Sequence, residues 1–138
     1  MSLNLLKRTA PSELVAYAES ELKQILADVS HVDALMLCST DGFELAFVYK
    51  KNMHHTSKLA AVSSSILAMV QAFLSEINLH GCQSITLDAK NGKAILSTAP
   101  HPQYPLIIVT LAGNDVLLGQ LLYAIKKASA NITAFQNT

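Results

Sequence analysis

Two short runs, Ala34–Ser39 and Leu106–Leu111, are apolar at consecutive positions rather than at alternate ones. A strand of that kind has no side suited to water, so it must sit inside a sheet and be covered both above and below. The rest of the chain has to supply that cover. With 138 residues, 51% of them hydrophobic, it has the size and apolar content of a single domain with a well-filled core.

The flanking segments read as hairpin partners. Thr40-Asp41-Gly42 turns the chain after the first run, because Asp-Gly tolerates positive φ, and Glu44–Tyr49 returns as a second strand. Gln83–Asp88 alternates, with Ile85 and Leu87 on one side and Ser84, Thr86 and Asp88 on the other, which suits an edge strand. Lys90-Asn91-Gly92 is a hairpin turn leading into Lys93–Thr98, and Ala99 to Pro105 is a proline-bearing loop before the fifth strand. Hairpins make the pairings antiparallel.

Three helical patterns accompany these strands. Pro11 and Ser12 open the first, which places Leu14, Ala18, Leu22, Ile25, Leu26 and Val29 on one face. Ser57 is positioned to cap the second, which is expected to run to Asn78 or His80 and to end at Gly81. Gly113-Asn114-Asp115 is expected to start the third, with Leu118, Leu121, Leu122, Ile125 and Ile132 facing inward. The order is α-β-β-α-β-β-β-α. The fold class is α/β of the α+β type, with three α/β/α layers. Residues 1–11 are expected to be a flexible leader and 12–138 a single domain.

The second helix is unusual because Leu59 to Ser75 contains no charged residue. Leu59, Val62, Ile66, Met69, Val70, Phe73 and Ile77 form a broad apolar face, expected to pack on the sheet. Ala61, Ser65, Ala68, Ala72 and Ser75 form a second line at spacings of three and four, and every member is small. A helix without a charged face is one covered from more than one side. Small residues let another backbone come close, and a second copy of the chain is the simplest cover, since two-fold dimers are the commonest oligomers. The alternative is that the first or third helix of the same chain lies across the line.

Composition excludes several functions. Ten basic residues balance ten acidic ones and Arg8 is the only arginine, so no nucleic-acid surface is expected. Cys38 and Cys82 are too few for a disulfide framework and read as free thiols. Glu13, Glu19 and Glu21 fall where a signal peptide would need its hydrophobic region, and Ser63-Ser64-Ser65, Gln71 and the prolines interrupt the two longer uncharged stretches. The expectation is a cytoplasmic protein with no membrane span.

The sequence resembles the roadblock/LC7 (dynein light chain-related) family. The resemblance rests on Val32-Asp33-Ala34-Leu35-Met36-Leu37-Cys38-Ser39-Thr40-Asp41-Gly42-Phe43-Glu44-Leu45-Ala46 and on the Ala/Ser-rich helix from Leu59. Gly81-Cys82-Gln83-Ser84-Ile85-Thr86-Leu87, the Asn91-Gly92 turn, Leu106-Ile107-Ile108-Val109 and Gly119-Gln120-Leu121 extend it over about Glu13 to Ile132. Asp33-Ala34 departs from it where many members carry a glycine, and so does Asn114-Asp115. The resemblance implies a profilin-like five-stranded antiparallel sheet in the order 2-1-5-4-3. It also implies homodimerisation through the second helix and third strand, and hence an interface of Ala61, Ser65, Ala68, Ala72, Ser84, Ile85 and Thr86. It further implies a regulator or scaffold of small Ras-like GTPases. Candidate partner-binding residues are Ser64, Leu67 and Gln71, beside the small-residue line.

No enzyme chemistry is legible. Gly42, Gly81, Gly92, Gly113 and Gly119 build neither a phosphate loop nor a dinucleotide fingerprint, and no G-x-S-x-G elbow surrounds Ser63, Ser64 or Ser65. His54-His55 and His80-Gly81-Cys82 lack metal-ligand spacing, so no catalytic residue, metal or cofactor is expected. Lys50, Lys51 and Lys58 with the two histidines form the most basic local stretch, read as a solvated loop. Arg8, in the leader, is poorly placed to act as an arginine finger. The competing reading is a small-ligand sensor, since folds of this size often hold a ligand against the sheet.

Overall fold

A computed structural model of the chain describes residues 10–50 and 58–136. Helix α1 (Ser12–Asp28) leads into the strands β1 (Val32–Ser39) and β2 (Glu44–Tyr49), followed by α2 (Lys58–Glu76). Strands β3 (Ser84–Ala89), β4 (Gly92–Ala99) and β5 (Leu106–Ala112) come next, and α3 (Leu118–Ala134) closes the sequence of elements. The strands form one antiparallel sheet in the order β2-β1-β5-β4-β3. The two runs that are apolar on both sides are its inner strands β1 and β5, paired in register from Leu35–Thr110 to Ser39–Leu106.

The pleat sends successive side chains of each strand to opposite faces, and two cores result. Leu35 and Leu37 of β1, Ile95 of β4 and Leu106 and Ile108 of β5 face α1 and α3. Those helices contribute Leu14, Ala18, Leu22, Leu121, Ile125 and Ile132. Met36, Cys38, Leu96, Ile107 and Val109 face the other way, towards α2. Each large side chain buried in this way contributes about 1.5–3 kcal/mol. The outer helices are also tied to each other: Asn131 donates to the Glu21 carboxylate at 3.0 Å, and Tyr17 stacks on Phe135 with ring centroids 4.6 Å apart.

The β1–β2 turn is built as the Asp-Gly pair requires. Gly42 has φ of +95°, which a side chain would disfavour. A Cβ there would also lie 3.1 Å from the Cα of Ala61, so the bare backbone of the turn seats the start of α2. Ser64 Oγ adds a hydrogen bond to the Thr40 carbonyl of the same turn.

Three expectations are corrected. The buried residues of α2 are Ala60, Ser63 and Leu67, with Val70 and Leu74 partly buried beside them. Val62, Met69, Phe73 and Ile77 are exposed instead. In a helix uncharged from Leu59 to Ser75, the wheel does not show which apolar side faces the sheet. The helix also ends earlier than expected. Asn78 adopts φ of +62°, its N–H bonds to Ser75 O, and the Leu79 N–H bonds to Leu74 O at 2.9 Å. That is a Schellman closure with Asn at the left-handed position, a role expected of Gly81. Finally, α3 starts at Leu118 rather than at Asp115, because Asn114 Nδ2 donates to Lys90 O at 2.7 Å and holds the preceding residues against the β3–β4 turn. Most of the leader, the Ser57 cap and Lys51 with His54-His55 lie outside the described residues.

Replacing Leu67 with Ala should lower stability by about 2–5 kcal/mol in urea denaturation, because it removes the largest buried side chain of α2. Gly42→Ala should cost about 1–3 kcal/mol through its left-handed backbone and its approach to Ala61. Cys38 offers a pH test. Burial, with Glu44 nearby, pushes its thiol from 9.0 up to about 12. The unfolded thiol ionises first, so the folded state has its full advantage below pH 9 and loses it as pH rises towards 12. Stability of the wild type should therefore fall more steeply across that window than that of Cys38→Ala.

Candidate interaction surface

The outward side of α2 carries the features of a binding surface. Ala61, Ser65, Ala68 and Ala72 are all exposed, and among the described residues no other helix covers them. Ser65 Oγ donates back to Ala61 O at 3.1 Å, so its hydroxyl is satisfied within the helix and the line stays smooth. Beside this line stand Met69, 66% exposed, and Phe73, 65% exposed, with Val62 half-exposed. Ile77 and Leu79 extend the apolar surface beyond the end of the helix. Length and mean hydropathy alone would let α2 cross a membrane. Its inner side, however, packs on the sheet through Ala60, Ser63 and Leu67.

The sheet edge continues this surface. Among the described residues β3 pairs with β4 alone, so its outer backbone groups are open to a further strand. Ile85 packs into the core beneath α2, while Leu87 on the same side is exposed. Ser84 and Thr86 are exposed on the opposite side. The seven interface candidates thus fall on two neighbouring elements. Ala61, Ser65, Ala68 and Ala72 lie on the outer side of α2, and Ser84, Ile85 and Thr86 on the free edge.

The three partner-binding candidates do not stay together. Leu67 is only 5% exposed and belongs to the core against Met36 and Val109, so it is no platform residue. Ser64 is half-buried and bonded to the β1–β2 turn. Only Gln71 is exposed. The large residues that do face outward, Met69 and Phe73, were assigned to the sheet from sequence. Residue size does not separate the two sides, since the small Ala61, Ser65, Ala68 and Ala72 face outward while Leu67 faces inward.

The titratable groups with shifted pKa values lie elsewhere. Cys38 and Tyr17, whose pKa values are both raised, sit away from this surface; burial and then Glu21 raise Tyr17. Among the described residues no three His, Cys, Asp or Glu side chains gather to hold a metal ion. Cys82 is buried with its Sγ 3.9 Å from Ser84 O. What the surface can do, on its own chemistry, is bury apolar area and extend a sheet.

The sequence matches no protein-family model and no curated protein. Solved structures are similar in fold. An MglB with a tetrameric arrangement superposes with a TM-score of 0.80 at 16% identity, covering 91% of each chain. MglB of Myxococcus xanthus gives 0.79 at 15% identity, covering 94% of this chain and 98% of its own. A roadblock/LC7 domain from Streptomyces avermitilis gives 0.71 at 16% identity, covering 82% and 92%. With the strand order 2-1-5-4-3 and two helices set against one, the chain has the roadblock/LC7 fold.

Proposed function

We propose that this chain is a non-enzymatic, cytoplasmic regulator or scaffold. In this reading it forms a homodimer and presents paired α2 helices to a small Ras-like GTPase. The observation that carries the reading is the bare outer side of α2. An apolar surface with Met69 and Phe73 each about two-thirds exposed, and no charge from Leu59 to Ser75, is costly in water and is relieved by association. The small line of Ala61, Ser65, Ala68 and Ala72 lets a second helix approach closely, and the free β3 edge allows the two sheets to join. One MglB of the same fold is known in a tetrameric arrangement, which supports self-association as a use of this architecture.

The GTPase part rests on the family resemblance. Any effect on hydrolysis then comes from preferring one nucleotide state of the partner, which shifts the population of its switches. The contact residues in this reading are Gln71, Met69 and Phe73. Ser64 and Leu67 serve the monomer.

Ala68→Glu should convert the dimer to a monomer in light scattering at micromolar concentration; an unchanged mass would place the interface elsewhere. Gln71→Arg should weaken binding to a Ras-like GTPase by roughly tenfold or more while the chain stays folded and dimeric. Calorimetry with the GTPase loaded with GDP or with a non-hydrolysable GTP analogue reads this directly. Leu67→Arg should unfold the chain, which distinguishes a core position from a contact position.

A further inference from the structure

The sheet face opposite α2 holds a second feature. Helix α3 lies over β4. Between it and the β3–β4 edge runs a groove of about 490 Å³, lined by Ser97, Pro100, Leu122, Ile125, Lys126 and Thr133 among others. Its size falls in the range of small-molecule sites, roughly 300–1,000 Å³. Two hydrogen bonds fix its width: Ser129 Oγ donates to Thr98 O at 2.6 Å, and Thr98 Oγ1 donates to Cys82 O at 3.0 Å.

Two residues of its wall carry buried hydroxyls with nothing to bond. Ser97 is 4% exposed and its Oγ has no partner, and Thr133 Oγ1 is buried in the same condition. Buried hydroxyls are nearly always paired, so an orphan in a cavity wall calls for an explanation. Two of the three such hydroxyls among the described residues line this one groove, the third being Thr110 of β5. Lys126 is the only charged side chain in the lining, and no carboxylate pairs with it among the described residues. The remaining walls are largely apolar.

We propose that this groove binds a small amphipathic carboxylate. Lys126 supplies the counter-charge, the Ser97 and Thr133 hydroxyls bond the ligand's oxygen atoms, and Leu122, Ile125 and Pro100 hold its hydrocarbon body. One exposed cation beside largely apolar walls suits a monoanion, and it does not match the several basic groups or helix N-terminus that a phosphate recruits. The groove lies on the sheet face away from α2 and shares only Ser84 with the seven interface candidates, so this inference rests on observations other than those that carry the dimer reading.

Sodium octanoate titrated into the full chain and followed by amide NMR tests it. Saturable shifts centred on Ser97, Ser129 and Thr133 are expected. Lys126→Gln should weaken octanoate roughly tenfold, as befits one lost charge-assisted bond, and octan-1-ol should bind the wild type correspondingly less well. Ser97→Ala, which removes an unbonded hydroxyl, should fold normally and also bind octanoate more weakly. The proposal is overturned by shifts that never saturate, by equal affinity of octanoate and octanol, by indifference to Lys126→Gln or Ser97→Ala, or by shifts centred on Met69 and Phe73. The last result would mean detergent-like adsorption to the outer side of α2.

Discussion

The need to cover β1 and β5 on both faces governs this molecule. Met36 and Leu37 are neighbours in sequence, yet each is almost wholly buried, on opposite sides of one sheet. No two-layer arrangement satisfies both. The chain meets the demand unequally. One face receives α1 and α3, joined to each other by the Asn131–Glu21 hydrogen bond and the Tyr17–Phe135 stack. Among the described residues, the other face receives α2 alone. A single helix cannot span a five-stranded sheet, so that side is left with apolar surface to spare. The candidate interaction surface is therefore a by-product of the topology as much as of any one residue.

Much of this was legible in the sequence, for reasons that can be named. Consecutive apolar residues located the inner strands, and the alternation of Ile85 and Leu87 with Ser84 and Thr86 located the edge. Asp41-Gly42 and Asn91-Gly92 placed their hairpins, because backbone preferences at those positions are local. What was not legible depended on shape at a distance. Nothing within α2 distinguishes Leu67 from Met69 by polarity. Only the sheet beneath selects Ala60, Ser63 and Leu67 as the side that fits. Asn78 in place of Gly81 as the helix terminator, and the pull of Asn114 on Lys90, likewise depend on where neighbouring turns happen to lie.

His101 illustrates a residue whose sequence context gave no warning. Its Nδ1 accepts the backbone N–H groups of Gln103 and Tyr104, each at 3.2 Å, while Nε2 lies 2.9 Å from Phe135 O. One imidazole thereby fastens the proline-bearing loop to the end of α3. The two sides of the sheet thus have different characters. The side with two helices is locked by specific polar contacts across its far end, while the side with one helix is smooth and open.

The close seating of Ala61 on Gly42 ties together two positions that are far apart in the chain. Position 42 cannot gain a side chain unless the opening turn of α2 moves, because the close contact is with the backbone of Ala61. Among distant relatives, a bulkier residue at the hairpin tip would be expected to accompany a shifted helix.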